Sequence, residues 1–185
     1  NRDTTLRITA LDSIYSGILT RWPTGKKSLI DAYAGDINSS TEEVFKSEIS
    51  KGRSFGPTIT RLASSEKVLE AVKSNVNAIG LVGLSWLREH EEDVKVYRLG
   101  GGIYQPDSTV MPGQFFSPAQ AHLLRKYYPI TREVFMYTRE PRREVSYGFL
   151  AYVKDRKGQQ NFVNRGLVPT AMPVRTVTTT SEKVQ

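Results

Sequence analysis

The stretch LIDAYAGDINSSTEEVFKSEI, residues 29–49, joins a strand pattern directly to a helix pattern. Residues 29–34 are mostly apolar and predict a buried strand. Ser40 and Glu43 have the spacing of a capping box, in which each side chain bonds a backbone N–H at the helix start. The buried face of the helix is predicted to contain Val44, Phe45 and Ile49. The sequence therefore predicts a strand, a turn and a helix in direct succession.

Four polar residues lie where this turn meets the helix, namely Asn38, Ser39, Ser40 and Thr41. The first N–H groups of a helix have no intrahelical partner, and the helix dipole places partial positive charge beside them. Hydroxyl groups there can donate further hydrogen bonds to phosphate, sulfate or carboxylate oxygens. The four residues are therefore the candidate binding site for an oxyanion. Simple helix capping explains the same residue types, so both interpretations stay open at this point.

Helix and strand patterns alternate along the rest of the chain. Helices are predicted at 9–18, from 64 or 65 to about 75, from 117, at 144–154 and at 157–165, and strands at 58–62, 79–82, 94–99 and 134–138. This alternation is typical of an α/β layered architecture. Residues 100–113 contain four Gly and two Pro and are predicted to form a loop at a lobe boundary.

The composition argues against several classes of function. The 185 residues contain no Cys, which rules out disulfides, thiolate metal sites and cysteine catalysis. His90 and His122 show no metal-ligand spacing, and no nucleophile, base and carboxylate arrangement points to an enzyme. The net charge of +7 favours anionic partners, but the basic residues are scattered and lack the aromatic interleaving of a nucleic-acid-binding stripe. We predict a binding protein that needs no cofactor or metal and binds no nucleic acid.

Several segments resemble, in the same order, landmarks of the phosphate ABC-transporter substrate-binding proteins, which have the type II periplasmic-binding fold. The most specific is AVKSNVNAIGLVGL, residues 71–84, which resembles that family's AVxxNPNAIGYVGL. The others are the helix LDSIYSG at 11–17, Trp22, the turn at 39–41 with Phe45, YPITR at 128–132, FLAYV at 149–153, Gly158-Gln159 and GLVP at 166–169. The resemblance spans residues 6–173.

The resemblance implies an α/β fold of the type II periplasmic-binding-protein kind. Residues 1–127 would form lobe two, with the crossover at their start, and residues 128–185 the returning part of lobe one with a C-terminal tail. It also implies a clamp that closes on phosphate or a related oxyanion through Asn38, Ser39, Ser40 and Thr41 and delivers it to an ABC permease. Such a protein would work in the periplasm or at the cell surface, with a lipid anchor on a processed N-terminus as one way of holding it there.

Two departures from the family's pattern suggest an alternative. Gly35 and Ser40 stand where the family's R-x-x-x-S-G-T turn has its Arg and its Gly, and Asp36 has the wrong charge to replace a guanidinium. The family's opening segment of lobe one has no counterpart before Asn1, so we expect a missing segment or a second chain to complete that lobe. The tail at residues 176–180 or a partner would then cover the exposed sheet edge. The alternative function is an interaction or sensory module that keeps the fold and has lost phosphate binding.

Overall fold

A computed structural model describes residues 4–24, 27–36, 39–87, 90, 92–101, 113–139 and 145–169. Within them, helices and strands alternate through most of the chain, which confirms the predicted α/β class. The elements are β1 Thr5–Arg7, α1 Ile8–Tyr15, β2 Asp31–Ala34, α2 Ser40–Glu48, β3 Thr60–Arg61, α3 Ser65–Ser74, β4 Ala78–Gly80, a 3-10 turn Leu84–Trp86, β5 Arg98–Gly100, β6 Phe115–Phe116, α4 Gln120–Leu124, α5 Val145–Lys154 and α6 Arg156–Asn164.

The strands form two three-stranded sheets. In the first, β2 lies between β3 and β4 and is parallel to both. In the second, β5 lies between β1, to which it is parallel, and β6, to which it is antiparallel. The register of the first sheet places Arg61 beside Ala34, the last residue of β2. Because ligand sites of open α/β sheets lie beyond the carboxyl ends of the strands, this end of β2 is where a site is expected.

An aromatic cluster fills the space between α1, α2 and the first sheet. The ring centroid of Phe45 lies 5.1 Å from that of Tyr15 and 5.1 Å from that of Phe55. The Tyr15 hydroxyl donates a hydrogen bond of 3.1 Å to the carbonyl of Tyr33 in β2, and burial raises the pKa of Tyr15 well above its ordinary value. The buried core comprises Leu6, Leu11, Ile14, Tyr15, Trp22, Ala32, Ala34, Phe45, Ile49, Ile59, Ile79 and Leu99.

Polar contacts join the loop after α1 to the loop before β4. The indole N–H of Trp22 donates to the carbonyl of Asn77 at 3.0 Å, and the Ser28 hydroxyl donates to the Asn77 side-chain oxygen at 2.7 Å. Asn75 donates its side-chain N–H to Asp31 at 2.8 Å. Trp22 therefore contacts the 71–84 stretch, so two landmarks that are distant in the sequence lie together in the fold.

Several predicted details are wrong. Arg7 rather than Thr9 precedes α1, and Ala119 rather than Ser117 precedes α4, so Pro118 lies outside that helix. Ile18 at the end of the predicted helix 9–18, Val76 beyond the end of α3 and Phe149 within α5 continue the apolar spacing of those helices, yet all three are exposed. β1 and β6 were not predicted, since strands of three and two residues are too short to show a period. Of the predicted loop at 100–113, only residues 100, 101 and 113 are among those described.

The predicted strand at 134–138 forms no ladder with the residues that the structure describes. The segment 131–139 has no regular secondary structure, and residues 132–139 are exposed. A strand requires a neighbour for its backbone N–H and C=O groups, which the sequence of one segment cannot supply.

Replacing Gly80 by Ala is expected to destabilise the protein by about 1–3 kcal/mol, because a methyl group there would overpack α3 against β4. An added Cβ would lie 2.7 Å from Val68 Cγ1 and 2.8 Å from Val72 Cγ2. Gly148→Ala in α5 is the control, since a Cβ there meets open space and Ala favours the helix. Urea unfolding should show a loss of stability for Gly80→Ala and none for Gly148→Ala. Equal stability of Gly80→Ala and the wild type would contradict this packing.

Candidate anion site

Ser39 is the N-cap of α2. Its backbone is extended, its N–H donates to the Asp36 carbonyl at 3.1 Å, and its side-chain oxygen accepts the Glu42 N–H at 3.3 Å. The predicted capping pair Ser40 and Glu43 is therefore wrong by one residue, because the turn ends one residue earlier. Ser40 and Thr41 become the first two helical residues, and no acceptor among the described residues meets their N–H groups. Asn38 lies outside the described residues.

Glu42, on the first turn of α2, is the most deeply buried carboxylate among the described residues. Only 2% of its surface is exposed. Its two oxygens accept hydrogen bonds of 2.6 and 3.0 Å from the two terminal nitrogens of Arg61, and Lys46 Nζ lies 3.0 Å from Oε1. The bonds from Arg61 lower the pKa of Glu42 to about 2, against the opposing effect of burial. The carboxylate is thus charged and fully paired at neutral pH.

Arg61 reaches Glu42 because of strand pairing. β3 runs parallel to β2, and Arg61 lies opposite Ala34, so its side chain projects beside the turn that follows β2. Its guanidinium also lies over the Phe55 ring, 5.4 Å from the centroid. Glu42 raises the pKa of Arg61 further, with a smaller contribution from Asp36. Arg61 is therefore committed to Glu42 and is not a free guanidinium for a ligand.

A second arginine reaches the turn from far along the chain. Arg132 Nη1 donates a hydrogen bond to the Ser40 hydroxyl oxygen. The structure shows no carboxylate paired with Arg132 within the described ranges, and the side chain is exposed. Sequence reasoning noted Arg132 only as part of the YPITR landmark. No local signal could have found the contact, because 92 positions separate the two residues.

Gly35 leaves space beside Ser39. A Cβ at this position would lie 3.6 Å from the Ser39 side-chain oxygen, which is an ordinary van der Waals contact. The turn therefore does not need glycine for close packing. Gly35 itself supplies no guanidinium to the turn, whereas Arg132 brings one to Ser40.

The two histidines lie elsewhere. Lys73 Nζ is 2.9 Å from His90 Nδ1 and 2.7 Å from Asp93 Oδ2, and Lys73 lowers the pKa of Asp93. His122 Nδ1 is 3.0 Å from the Ser117 carbonyl oxygen. Over the described ranges, no group of three or more His, Asp or Glu residues is placed to hold a metal ion.

In the same part of the chain, no helix has the length and apolar character needed to cross a bilayer.

Two surface cavities of about 190 and 410 Å³ do not include the turn. The smaller is largely apolar and lies between α1 and the start of β2, where Ile14, Leu29 and Ile59 line it. The larger lies beside β5 and β6, where Arg98, Phe116 and His122 line it.

Three solved structures of transport proteins have a fold similar to that of this chain. The chain superposes on a phosphate ABC transporter substrate-binding protein with bound phosphate from Clostridium perfringens with a TM-score of 0.72 and 19% identity, covering 92% of this chain and 65% of that one. For an ABC-type phosphate transport receptor from Vibrio cholerae the TM-score is 0.66 and the identity 20%, with 94% of this chain and 66% of that one covered. For PstS from Borrelia burgdorferi the TM-score is 0.64 and the identity 17%, with 91% of this chain and 64% of that one covered.

These likenesses confirm the fold that the sequence resemblance implied. No protein-family model matches the sequence, and no curated protein matches it significantly. The chain has the fold of the phosphate ABC transporter substrate-binding proteins and spans slightly less than two thirds of the length of those three structures.

Replacing Glu42 by Gln is expected to cost about 3 kcal/mol of stability at pH 7, because the pKa of the carboxyl falls from 4.5 to about 2 on folding. For a depressed pKa this contribution is complete above pH 4.5 and is lost as the pH falls towards 2. The free energy of unfolding of the wild type, measured with urea, should therefore fall more steeply across this pH window than that of the variant. Glu48→Gln, an exposed change in the same helix, is the control and should shift stability by less than about 0.5 kcal/mol. Equal losses from both variants would contradict the buried ion pair.

Proposed function

We propose that this chain is part of an extracytoplasmic solute-binding protein that takes up phosphate or a related oxyanion at the start of α2 and delivers it to an ABC permease. The fold supports the proposal, since the similar protein from Clostridium perfringens holds phosphate. The observation that carries it is the contact of Arg132 with Ser40, which brings to a helix N-terminus a guanidinium that pairs with no carboxylate among the described residues. Neither the guanidinium of Arg132 nor the N-terminus of α2 would by itself indicate an anion site.

Each group at the turn has a distinct role in the proposal. The N–H groups of Ser40 and Thr41 point out of the first turn of α2, and their hydroxyls can donate to the same ligand. Ser39 uses an oxygen lone pair to cap the helix and keeps its O–H as a donor. Asn38, the fourth residue proposed from sequence, precedes the cap. Arg132 supplies the charge-assisted bond and can turn from Ser40 to the oxyanion.

Glu42 and Arg61 hold this site in place without contacting the ligand. Their bidentate pair ties the first turn of α2 to the end of β3, next to β2. A preorganised helix start binds an anion with a smaller loss of conformational entropy than a mobile one. The proposed partners are therefore a phosphate-like anion at the turn, a permease that receives it, and further polypeptide that completes the two-lobed clamp outside the membrane.

Phosphate should raise the melting temperature of the protein, because a ligand that binds only the native state stabilises it. A phosphate concentration of about 100 times Kd should add about 2.7 kcal/mol, or roughly 5–10 °C for a chain of this size. Arg132→Gln should remove most of the shift, whereas Arg156→Gln, the same charge change at the start of α6, should keep it. Differential scanning calorimetry with and without phosphate measures both.

Ser39→Ala is a poorer probe of binding than Ser40→Ala. Loss of the cap should lower stability by about 1 kcal/mol even without ligand, since Ser39 accepts the Glu42 N–H.

The absence of any shift in melting temperature with phosphate, sulfate or arsenate in the wild type would refute the proposal. That result would favour the interaction or sensory module as the function of the fold.

Gly35→Arg should increase phosphate affinity at least tenfold, because it places a second guanidinium at the turn, where the resembling family has its Arg. The position has room for a Cβ at 3.6 Å from Ser39. Isothermal titration calorimetry of wild type, Gly35→Arg and Gly35→Gln compares a charged with an uncharged side chain of similar reach. Equal affinities of the Arg and Gln variants would place the ligand away from this turn.

A further inference from the structure

The larger surface cavity, of about 410 Å³, lies beside β6, the edge strand of the second sheet. Its volume is within the range of roughly 300–1,000 Å³ that small-molecule sites occupy. Arg98, Phe115, Phe116 and His122 line it, and Arg98 is the only Lys or Arg among the described residues that do so. We refer to this space as the β6 cavity. It combines a single guanidinium with two phenyl rings and an imidazole.

Backbone carbonyl groups of β6 and of the residue after it hold two of these side chains. Arg98 Nη2 donates a hydrogen bond of 2.9 Å to the Phe115 carbonyl. His122 Nδ1 lies 3.0 Å from the Ser117 carbonyl oxygen, and because a carbonyl can only accept, Nδ1 carries a proton. Both side chains are therefore positioned by main-chain atoms of one short segment, and a ligand would meet them already in place.

The guanidinium of Arg98 has further hydrogen-bonding capacity. It carries five N–H donors, and the bond to Phe115 uses one of them. Arg98 is exposed and forms no ion pair with a carboxylate of the described residues. A planar guanidinium binds a carboxylate through two parallel hydrogen bonds. One guanidinium also balances the single charge of a carboxylate, whereas a phosphoryl group carries about −1.5 to −2 at neutral pH, so a carboxylate is the better match.

Aromatic rings make up much of the lining of the β6 cavity. The Phe116 ring meets the His122 ring edge-on, with centroids 5.2 Å apart and planes at 71°. Tyr127 extends this cluster, with its centroid 5.0 Å from that of Phe116. The Phe115 ring lies against the backbone of Gly101, where an added Cβ would come within 2.8 Å of Phe115 Cζ. A ligand with an aromatic ring can join such a cluster through the edge-on and offset contacts that rings prefer.

We propose that the β6 cavity binds a small aromatic carboxylate, whose carboxylate group pairs with Arg98 and whose ring packs against Phe116 and His122. Phosphate fits this cavity less well, because it has no apolar part and carries more charge than Arg98 balances. None of the residues at the start of α2 lines the cavity. The inference therefore goes beyond the proposed function, and either can fail without the other.

Nuclear magnetic resonance of the two histidines tests the proposal, because His122 lines the cavity and His90 does not. Benzoate, titrated to about 10 mM at constant pH, should move the ring-proton resonances of His122 along a saturating curve. That concentration is about ten times a weak Kd of roughly 1 mM. His90, which lies beside Lys73 and Asp93, is the internal control and should not move.

Two further compounds separate the contributions of charge and ring. Benzamide keeps the ring without the charge and should bind at least tenfold more weakly than benzoate. Phosphate keeps a charge without the ring and should leave the His122 resonances unchanged, even at concentrations that raise the melting temperature of the protein.

Matched variants locate the carboxylate. Arg98→Gln should weaken benzoate binding at least tenfold, because it removes the charge that pairs with the ligand. Arg156→Gln makes the same charge change at the start of α6, outside the cavity, and should keep benzoate binding. Both arginines are exposed, so both variants should fold, which far-ultraviolet circular dichroism and thermal melting verify.

Three results would overturn the inference. The first is no saturating shift of His122 with benzoate, or equal shifts of His122 and His90. The second is equal affinity for benzoate and benzamide, or an equal His122 shift with phosphate, which would show that the cavity does not recognise a carboxylate on a ring. The third is the same affinity for benzoate in Arg98→Gln and Arg156→Gln, which would place the ligand away from Arg98.

Discussion

The buried carboxylate of Glu42 fixes how β2, the turn after it and the start of α2 are arranged. An unpaired charge at 2% exposure would be strongly destabilising, so α2 can occupy its position only with Arg61 and Lys46 in place. Arg61 in turn requires β3 to pair with β2 in the observed register. One ion pair thus couples sheet register, helix position and the orientation of the turn between them. The hydroxyl groups of residues 39–41 depend on that coupling for their geometry.

Local features of this region could be predicted from the sequence because they depend on neighbouring residues. The strand, the turn and the helix appear where the pattern of residues 29–49 indicates, with the helix cap displaced from Ser40 to Ser39. The two arginines could not be predicted, since Arg61 arrives through strand pairing and Arg132 through a contact spanning half the chain. Sequence patterns report periodicity and capping, whereas charge partners across elements depend on the tertiary arrangement. The fold itself was recognisable because several short landmarks occur in the same order as in a known family.

The segment 134–138 illustrates a different limit of sequence reasoning. Its residues have the β-propensity of a strand, but propensity measures fit to a pleated, half-buried surface and not the presence of a neighbour. The same is true of α5, whose apolar residues indicate a face to bury without indicating what buries it. Both segments have sequences suited to an interior and positions at a surface. That disagreement between composition and exposure carries more information about assembly than either observation alone.

The parallel pairing of β1 with β5 also affects how the chain folds. Leu6 lies opposite Leu99, so this contact closes a loop of about 90 residues. During synthesis at roughly 5–20 residues per second, β1 waits on the order of 5–20 s for its neighbour to be made. Until then Leu6, which is buried in the native protein, remains in contact with solvent or with a chaperone. The β3-β2-β4 sheet, whose strands lie between residues 31 and 80, can form during this interval. The order of the strands along the chain therefore allows the first sheet to pair before the second.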